Sequence, residues 1–254
     1  TPIMYNGAET MLPDVIHQEL DDKYDVDIHT IDTDNYGIPQ TRDRMIILMT
    51  RHGVRRRWTL PPVEQHKVTM AEAIGHLPIV DPFIKDLPQE EFLRLFPNYE
   101  ERRRQALAIS PWNIPPVHIW RQVRAMMYTP TGQTAFDNEP EYRPIKADGT
   151  FVRGYRNTYK RQNWNTPAYT VTMDNRKISS QNNVHPGRLV GQDANGHDIY
   201  SDARTLTLYE LMRVMSIPED WNVPVNTDEA FLRRIIGEGI PPLFIRKLFA
   251  QIAQ

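Results

Sequence analysis

The chain has 254 residues, a formal net charge of −2, 40% hydrophobic residues and 24% charged residues. This composition is typical of a soluble globular protein that buries a core, and the charge argues against a non-specific nucleic-acid coat. No apolar run approaches the roughly 20 residues that span a bilayer, and no signal peptide is evident, so we expect a cytoplasmic location. Cysteine is absent, which excludes disulfides, thiolate metal ligands and a thiolate nucleophile within this sequence.

The N-terminal segment is acidic. Residues 1–35 carry nine acidic side chains and one lysine, a net of −8, so the remainder carries +6. We expect this segment to be solvated or turned toward another protein rather than toward DNA. Apolar residues on one face predict a helix over Met11–Lys23, and alternation predicts a strand over Tyr24–Ile31.

The stretch from Asp34 to Met49 combines a turn, three polar residues and an apolar run. Glycine and proline in Tyr36–Pro39 predict a turn, and the five apolar residues Met45–Met49 predict a strand buried on both faces. We expect the two strands to form the far edge of a mostly parallel sheet. Between the turn and the run, alternate polar residues would share one face of an extended chain. They are Gln40, Arg42 and Arg44, and they indicate either solvated arginines on an edge strand or a polar cluster beside the core.

Local signals predict three further helices. Capping boxes at Thr69–Glu72 and Thr207–Glu210 predict two helix starts, with Glu210 as a cap. A last helix is predicted from Pro242, and its apolar face would need a partner from outside this chain. That face comprises Ile245, Leu248, Phe249 and Ile252.

Residues 151–188 mix basic, aromatic and amide side chains, with Asp174 as their one acidic residue. Cations hold phosphates and planar polar groups read base edges, so this region is predicted to contact DNA. The alternative is a polar β-rich module with exposed arginines. The candidate DNA-binding residues are Arg153, Tyr155, Arg156, Lys160, Arg161, Arg176, Lys177 and Arg188.

Three blocks resemble motifs of the DNA cytosine-5 methyltransferase family, and they occur in that family's order. Gly37–Gln40, followed by R-x-R and an aliphatic strand, resembles the GIPQ motif near the middle of those enzymes. Arg204–Arg213 resembles the R-x-L-T-x-x-E-x-x-R block. Gly237–Pro241 resembles the C-terminal GNAVP block, although Glu238 stands where asparagine is usual.

The resemblance implies an α/β fold, the C-terminal part of a Rossmann-like S-adenosylmethionine-dependent methyltransferase with an inserted, β-rich target-recognition domain. Residues 1–60 would belong to the catalytic domain, 61–200 to target recognition, and 201–254 to helices that return to the catalytic domain. The family's cysteine, glycine loop and Glu-Asn pair lie N-terminal to these blocks. The resemblance therefore implies a C-terminal half, either a subunit of a split enzyme or a fragment of a longer chain.

The resemblance also implies roles for individual residues. Such enzymes flip cytosine out of double-stranded DNA, add a thiolate to carbon 6 and methylate carbon 5 from S-adenosyl-L-methionine. Arg44 would stabilise charge on the base's carbonyl oxygen, Arg42 would hold phosphate or neighbouring loops, and Gln40 would support the flipped base. One wall of the cofactor site would be formed by Gly237, Glu238, Gly239 and Ile240.

Two functions remain open at this point. The chain is either an enzyme component, inactive alone and completed by an N-terminal half that carries the cysteine, or a non-catalytic, sequence-specific DNA-binding module derived from such an enzyme. No His, Asp or Glu spacing indicates a metal site.

Overall fold

A computed structural model describes residues 2–253, in which helices and short strands are joined by long irregular segments. The strands are β1 (Pro2–Tyr5), β2 (Ala8–Met11), β3 (Tyr24–Asp32), β4 (Asp43–Arg51), β5 (Phe83–Ile84), β6 (Val117–His118), β7 (Leu189–Gln192) and β8 (Asp198–Tyr200). The helices are α1 (Leu12–Leu20), α2 (Met70–Ile74), α3 (Gln89–Leu95), α4 (Tyr99–Ile109), α5 (Trp120–Met127), α6 (Leu208–Val214), α7 (Glu229–Glu238) and α8 (Pro242–Ala253). None of these helices has the length and apolar character needed to cross a membrane.

The chain opens with a hairpin that the sequence analysis did not predict. Strands β1 and β2 pair antiparallel around Asn6 and Gly7, whose φ angles are 48° and 81°. Asn-Gly favours tight hairpin turns because both residues tolerate positive φ. The following helix α1 starts at Leu12 and ends at Leu20, within the predicted range of Met11–Lys23.

Strands β3 and β4 form a second antiparallel hairpin with nine paired positions, from Tyr24 opposite Arg51 to Asp32 opposite Asp43. Along β4 burial alternates: Ile46 and Leu48 are buried, whereas Met45 and Met49 are 49% and 43% exposed. The prediction of a strand buried on both faces is wrong, because only one face of the hairpin is covered. The mostly parallel sheet expected beside it is not found among residues 2–253.

Helix α8 covers the buried face of the β3–β4 hairpin. Phe244 is fully buried and packs edge-on against Tyr36 with ring centroids 5.0 Å apart, and Leu248 joins the same cluster. Two members of the predicted apolar face, Ile245 and Leu248, thus find a partner within this chain, and the expectation of a partner from outside is wrong for them. Phe249, a third member of that predicted face, stays 59% exposed, with the Trp58 ring centroid 5.3 Å from its own.

The region predicted to be an insertion, residues 61–200, is less β-rich than expected. Residues 61–200 contain α2 to α5 and two short sheets, and the parallel pair β5–β6 is only two residues long. Much of the chain between α5 and β7 is held by single bridges, such as Thr134–Lys160 and Arg161–Val184, instead of ladders. The inserted β-rich domain is therefore not confirmed. Two further apolar clusters pack here, one around α5 and one joining α2, α6 and α7.

Replacing Phe244 by alanine tests the packing of α8 on the hairpin. Loss of a buried aromatic side chain should lower the free energy of unfolding by about 3–5 kcal/mol. Phe249→Ala is the matched control, and its exposed ring should cost less than about 1 kcal/mol. Urea unfolding monitored by circular dichroism measures both. Equal losses in the two variants would contradict the packing described.

Candidate functional site

Gln40 lies at the point where distant segments meet. Its side chain is fully buried, its Oε1 accepts from the Val171 backbone N–H at 2.9 Å, and its Nε2 donates to Met215 Sδ at 2.8 Å. The adjacent backbone is tied to the same segment by the Thr41 N–H, which donates to the Ala168 carbonyl at 2.9 Å. The GIPQ stretch and the segment after Thr166 therefore run side by side.

Arg42 extends this contact to the C-terminal block. Its guanidinium, 1% exposed, donates to the Val171 carbonyl at 2.7 Å and to the Gly237 carbonyl at 2.5 Å. Burial, and secondarily the nearby Arg44, lowers its pKa to about 10, so it stays charged at neutral pH. Arg42 holds neighbouring loops, and the interpretation of a solvated arginine is wrong for it. We call Gln40, Arg42, Val171 and Gly237 the motif junction.

Gly237 makes the junction possible by its size. A Cβ atom at this position would stand 2.4 Å from the Thr172 carbonyl oxygen, so only glycine allows α7 to approach this closely. Gly237 and Glu238 belong to the last turn of α7. Glu238 itself is exposed.

Gly239 and Ile240, which follow α7, border a cavity of 470 Å³. Its walls are mostly apolar, and Asp220 is the ionisable residue among them. The other lining residues are Met215, Ile217, Pro218, Trp221, Ile235, Ile236 and Pro242.

Arg44 differs from Arg42 although the two were predicted to share a face. Its side chain is half-buried and donates to the Asp43 carbonyl at 2.7 Å, and no ion pair to it is found in residues 2–253. Burial lowers its pKa, while the Asp43 carboxylate acts in the opposite direction. A partly desolvated cation with spare donors therefore lies beside the anchored Arg42.

Arg161 is not a surface residue. It is fully buried and donates to four backbone carbonyls at 2.8–3.1 Å. Burial lowers its pKa to about 9. Because this fully buried side chain could reach DNA only by giving up all four bonds, the prediction of DNA contact is wrong for Arg161. The carbonyls belong to Met126, His185, Ser201 and Asp202.

The other candidate DNA-binding residues differ in availability. Arg188 packs 5.0 Å above the Trp164 ring and pairs with buried Asp202, so it is already engaged. Lys160 lies over the Tyr169 ring at 4.8 Å. Two more are exposed but paired, Arg156 with Asp137 and Lys177 with Asp174. Arg153 and Arg176 are exposed and form no ion pair among the described residues. The ring of Tyr155 is 81% exposed.

Sequence reasoning missed a buried charge network at the R-x-L-T block. Fully buried Arg204 binds both oxygens of Glu210 at 2.8 and 2.9 Å and pairs with Asp202 at 2.7 Å. Glu210 also completes the capping box of α6, as predicted. Burial lowers the pKa of His118 to about 3, so this histidine is neutral and accepts from the Thr205 N–H. The acidic residue two positions before Arg204 was the available signal.

Replacing Arg161 by alanine should destabilise the fold by about 3 kcal/mol, because the His185 and Ser201 carbonyls lose their donor and the Met126 and Asp202 carbonyls each lose one of two donors. Arg153→Ala, at an exposed position, should change the free energy of unfolding by less than about 0.5 kcal/mol. Urea unfolding measures both free energies, and we expect each variant to keep the m-value of the wild type. If Arg161→Ala kept its stability but bound DNA more weakly, the predicted contact of Arg161 with DNA would be supported instead.

Comparison with known proteins agrees with the motifs. The model of the C-5 cytosine-specific DNA methylase family matches residues 4–254. The Type II methyltransferase M1.HgaI of Avibacterium volantium is 36% identical over 243 residues, which are 96% of this chain and 59% of that protein. The Type II methyltransferase M.MthTI of Methanothermobacter thermautotrophicus is 31% identical over 97 residues, 37% of this chain and 29% of that protein. The chain thus spans less than two thirds of the length of either relative.

A solved structure shares the fold. A candidate DNA modification methyltransferase encoded within an E. coli prophage superposes with a TM-score of 0.52 and 16% identity. The superposition covers 95% of this chain and 63% of that one. At this identity the likeness concerns the methyltransferase fold alone. With the family model matched over nearly the whole sequence, the chain belongs to the C-5 cytosine-specific DNA methylase family.

Proposed function

We propose that this chain is the C-terminal portion of a DNA (cytosine-5-)-methyltransferase whose cysteine nucleophile lies outside these 254 residues. A separate polypeptide or an N-terminal part of a longer chain would supply that cysteine. The observation that supports this proposal is the motif junction, where Arg42 binds Gly237 across 195 positions of sequence. A buried guanidinium that joins two family blocks is the arrangement a preorganised active site needs.

Arg44 would act on the cytosine. Addition of a thiolate to carbon 6 pushes electron density toward the ring carbonyl oxygen, and a fixed cation beside that oxygen lowers the barrier. Arg44 suits this role because it is half-buried and has donors left after its bond to the Asp43 carbonyl. Arg42 and Gln40 would position it by fixing the backbone on which it stands.

The cofactor S-adenosyl-L-methionine would supply the methyl group for carbon 5. The cavity beside Gly239 and Ile240 fits its nucleoside, because apolar walls and the Trp221 ring suit a purine. Asp220 would accept hydrogen bonds from ribose hydroxyls. Gly237 would contribute indirectly, since its own surface is occupied by Thr172.

Double-stranded DNA would lie against the exposed cations of residues 151–188. Arg153, Arg176 and the aromatic Tyr155 lead this proposal because they are exposed and no ion pair holds them. Cations at such positions contact phosphates, whereas an exposed ring can stack or wedge against bases. As both relatives are Type II methyltransferases, a restriction-modification system is the proposed setting.

A non-catalytic DNA-binding module is the second candidate. Glu238, which stands where the family usually has asparagine, favours it, because a carboxylate near the cofactor alters the charge of that site. Such a module would bind DNA without methyl transfer.

Substituting Arg44 by alanine separates the two candidates. In the enzyme completed with its cysteine-bearing part, Arg44→Ala should lower kcat about 10²–10³-fold with DNA affinity retained, because the lost contact forms mainly in the transition state. Arg51→Ala, at an exposed site on the same strand, is the matched control and should leave kcat unchanged. Transfer of a labelled methyl group to DNA and band-shift titration are the measurements.

Two outcomes would contradict this proposal. Wild-type kcat in Arg44→Ala would exclude the role of Arg44. DNA binding without any transfer by the completed wild-type enzyme would favour the non-catalytic module.

DNA contact is tested by the salt dependence of binding. Each of Arg153→Ala and Arg176→Ala should reduce the slope of log K against log[salt] by about 1, because one phosphate contact is lost. Arg94→Ala, on the exposed side of α3, should leave the slope unchanged. Fluorescence anisotropy with a labelled duplex measures these slopes, and identical slopes in all variants would refute the proposed surface.

A further inference from the structure

Residues 144–152 form a tight hairpin, which we call the tip hairpin. The Lys146 N–H donates to the Thr150 carbonyl at 2.8 Å, and the Val152 N–H donates to the Pro144 carbonyl at 2.9 Å. The six residues from Lys146 to Phe151 are all exposed. None of them belongs to a motif block or to the cofactor cavity described above.

Asp148 and Gly149 fix the turn of the tip hairpin. Gly149 has a φ of 81°, which glycine adopts without steric cost, and its N–H donates to the Lys146 carbonyl at 3.1 Å. Asp148 Oδ1 accepts from both the N–H and the hydroxyl of Thr150, at 3.0 and 2.7 Å. These bonds lower the pKa of Asp148, so its carboxylate is charged and already engaged at neutral pH. The tip hairpin is therefore ordered before any partner binds.

The base of the tip hairpin is packed. On the entry side, the buried ring of Tyr142 stacks on Tyr128, with ring centroids 3.5 Å apart. At the other end, Val152 packs against the apolar cluster around α5. An exposed tip on a packed base loses little conformational freedom when it binds, which favours a role in recognition.

Phe151 is the apolar side chain that the tip hairpin exposes most. It is 54% exposed, although its neighbour Val152 packs inward. It belongs to none of the apolar clusters in the part of the chain that the structure describes. Its backbone is held by an antiparallel bridge to Ile145. The fold thus holds this ring in place without using it for packing.

Cations predominate around this ring. Residues 143–156 carry four cations and one carboxylate, and that carboxylate is the engaged Asp148. Other carboxylates belong to the base: Asp137 pairs with Arg156, and Asp193 accepts from the Tyr142 hydroxyl at 2.9 Å. Glu139 and Glu141 are exposed on the entry side, before Tyr142. The excess of positive charge fits a polyanion. The four cations are Arg143, Lys146, Arg153 and Arg156.

We propose that Phe151 is a wedge that inserts between two base pairs of double-stranded DNA, while Lys146 and Arg153 hold phosphates on either side. An apolar ring inserted at a base step partly unstacks it and kinks the duplex. Pyrimidine–purine steps unstack most easily, so the wedge would favour such a step without reading base edges. This inference rests on the proposed function, because Arg153 is part of the proposed DNA surface.

The first test separates an apolar contact from a phosphate contact. Phe151→Ala should weaken binding of a labelled duplex about tenfold and keep the slope of log K against log[salt], because no phosphate contact is lost. Arg153→Ala should instead reduce that slope by about 1. Phe83→Ala, whose ring is 47% exposed on β5, is the matched control and should change neither quantity. Fluorescence anisotropy is the measurement, and unchanged affinity in Phe151→Ala would overturn the proposal.

The second test measures unstacking directly and needs no knowledge of the recognised sequence. A closed circular plasmid is relaxed by topoisomerase I in the presence of the 254-residue protein, and the topoisomers are separated on a gel. Unwinding by the wedge should shift their distribution. Phe151→Leu should keep most of this shift because leucine can also act as a wedge, whereas Phe151→Ser should lose it.

The outcomes separate this inference from the proposed function. Plasmid binding without unwinding by the wild type would overturn the wedge and leave the proposed DNA surface intact, whereas absence of binding would overturn both. Because Phe151 is exposed, all three of its variants should keep the urea midpoint of the wild type, so a lost shift reports on the contact with DNA. None of these measurements depends on methyl transfer.

Discussion

The buried guanidinium of Arg42 is the interaction on which the arrangement of the candidate site depends. It joins the residue before strand β4 to the segment around Val171 and to the end of α7 through two carbonyl oxygens. Burying a charge without partners is very unfavourable, and hydrogen bonds to charged groups contribute about 1.5–3 kcal/mol each. The charge therefore holds both segments in place. Because Gly237 has no side chain, α7 comes close enough for its carbonyl to accept the bond from Arg42.

Buried guanidiniums that bind several oxygen atoms recur in parts of the fold that lack sheets. Arg161 donates to four carbonyls, one in the last turn of helix α5 and three in segments outside the strands, and Arg204 donates to two carboxylates and to the Val80 carbonyl. A guanidinium has five donors, so one side chain replaces several backbone bonds. Arg161 in this way joins its own segment to α5 and to the carbonyls of His185, Ser201 and Asp202. Because Arg161 is used inside the fold, the basic composition of residues 151–188 overstated the surface available to DNA.

Local signals in the sequence were sufficient for some features and not for others. The capping boxes at Thr69 and Thr207 form as predicted, because each depends on four consecutive residues. Asn6-Gly7 carried an equally local hairpin signal that the sequence analysis did not use. By contrast, nothing near Arg161 distinguishes it from exposed Arg153, since its partners lie 24 to 41 positions away along the chain or 35 positions before it. Which face of β4 is buried likewise depends on a distant element, helix α8.

Helix α6 links the motif junction to a second part of the structure. Asn113 is held by Thr207, the N-cap of α6, and the residue after that helix, Met215, accepts from Gln40. Helix α6 is therefore a single short element that holds Asn113 at its start and Gln40 at its end, so a displacement of this helix would disturb both contacts.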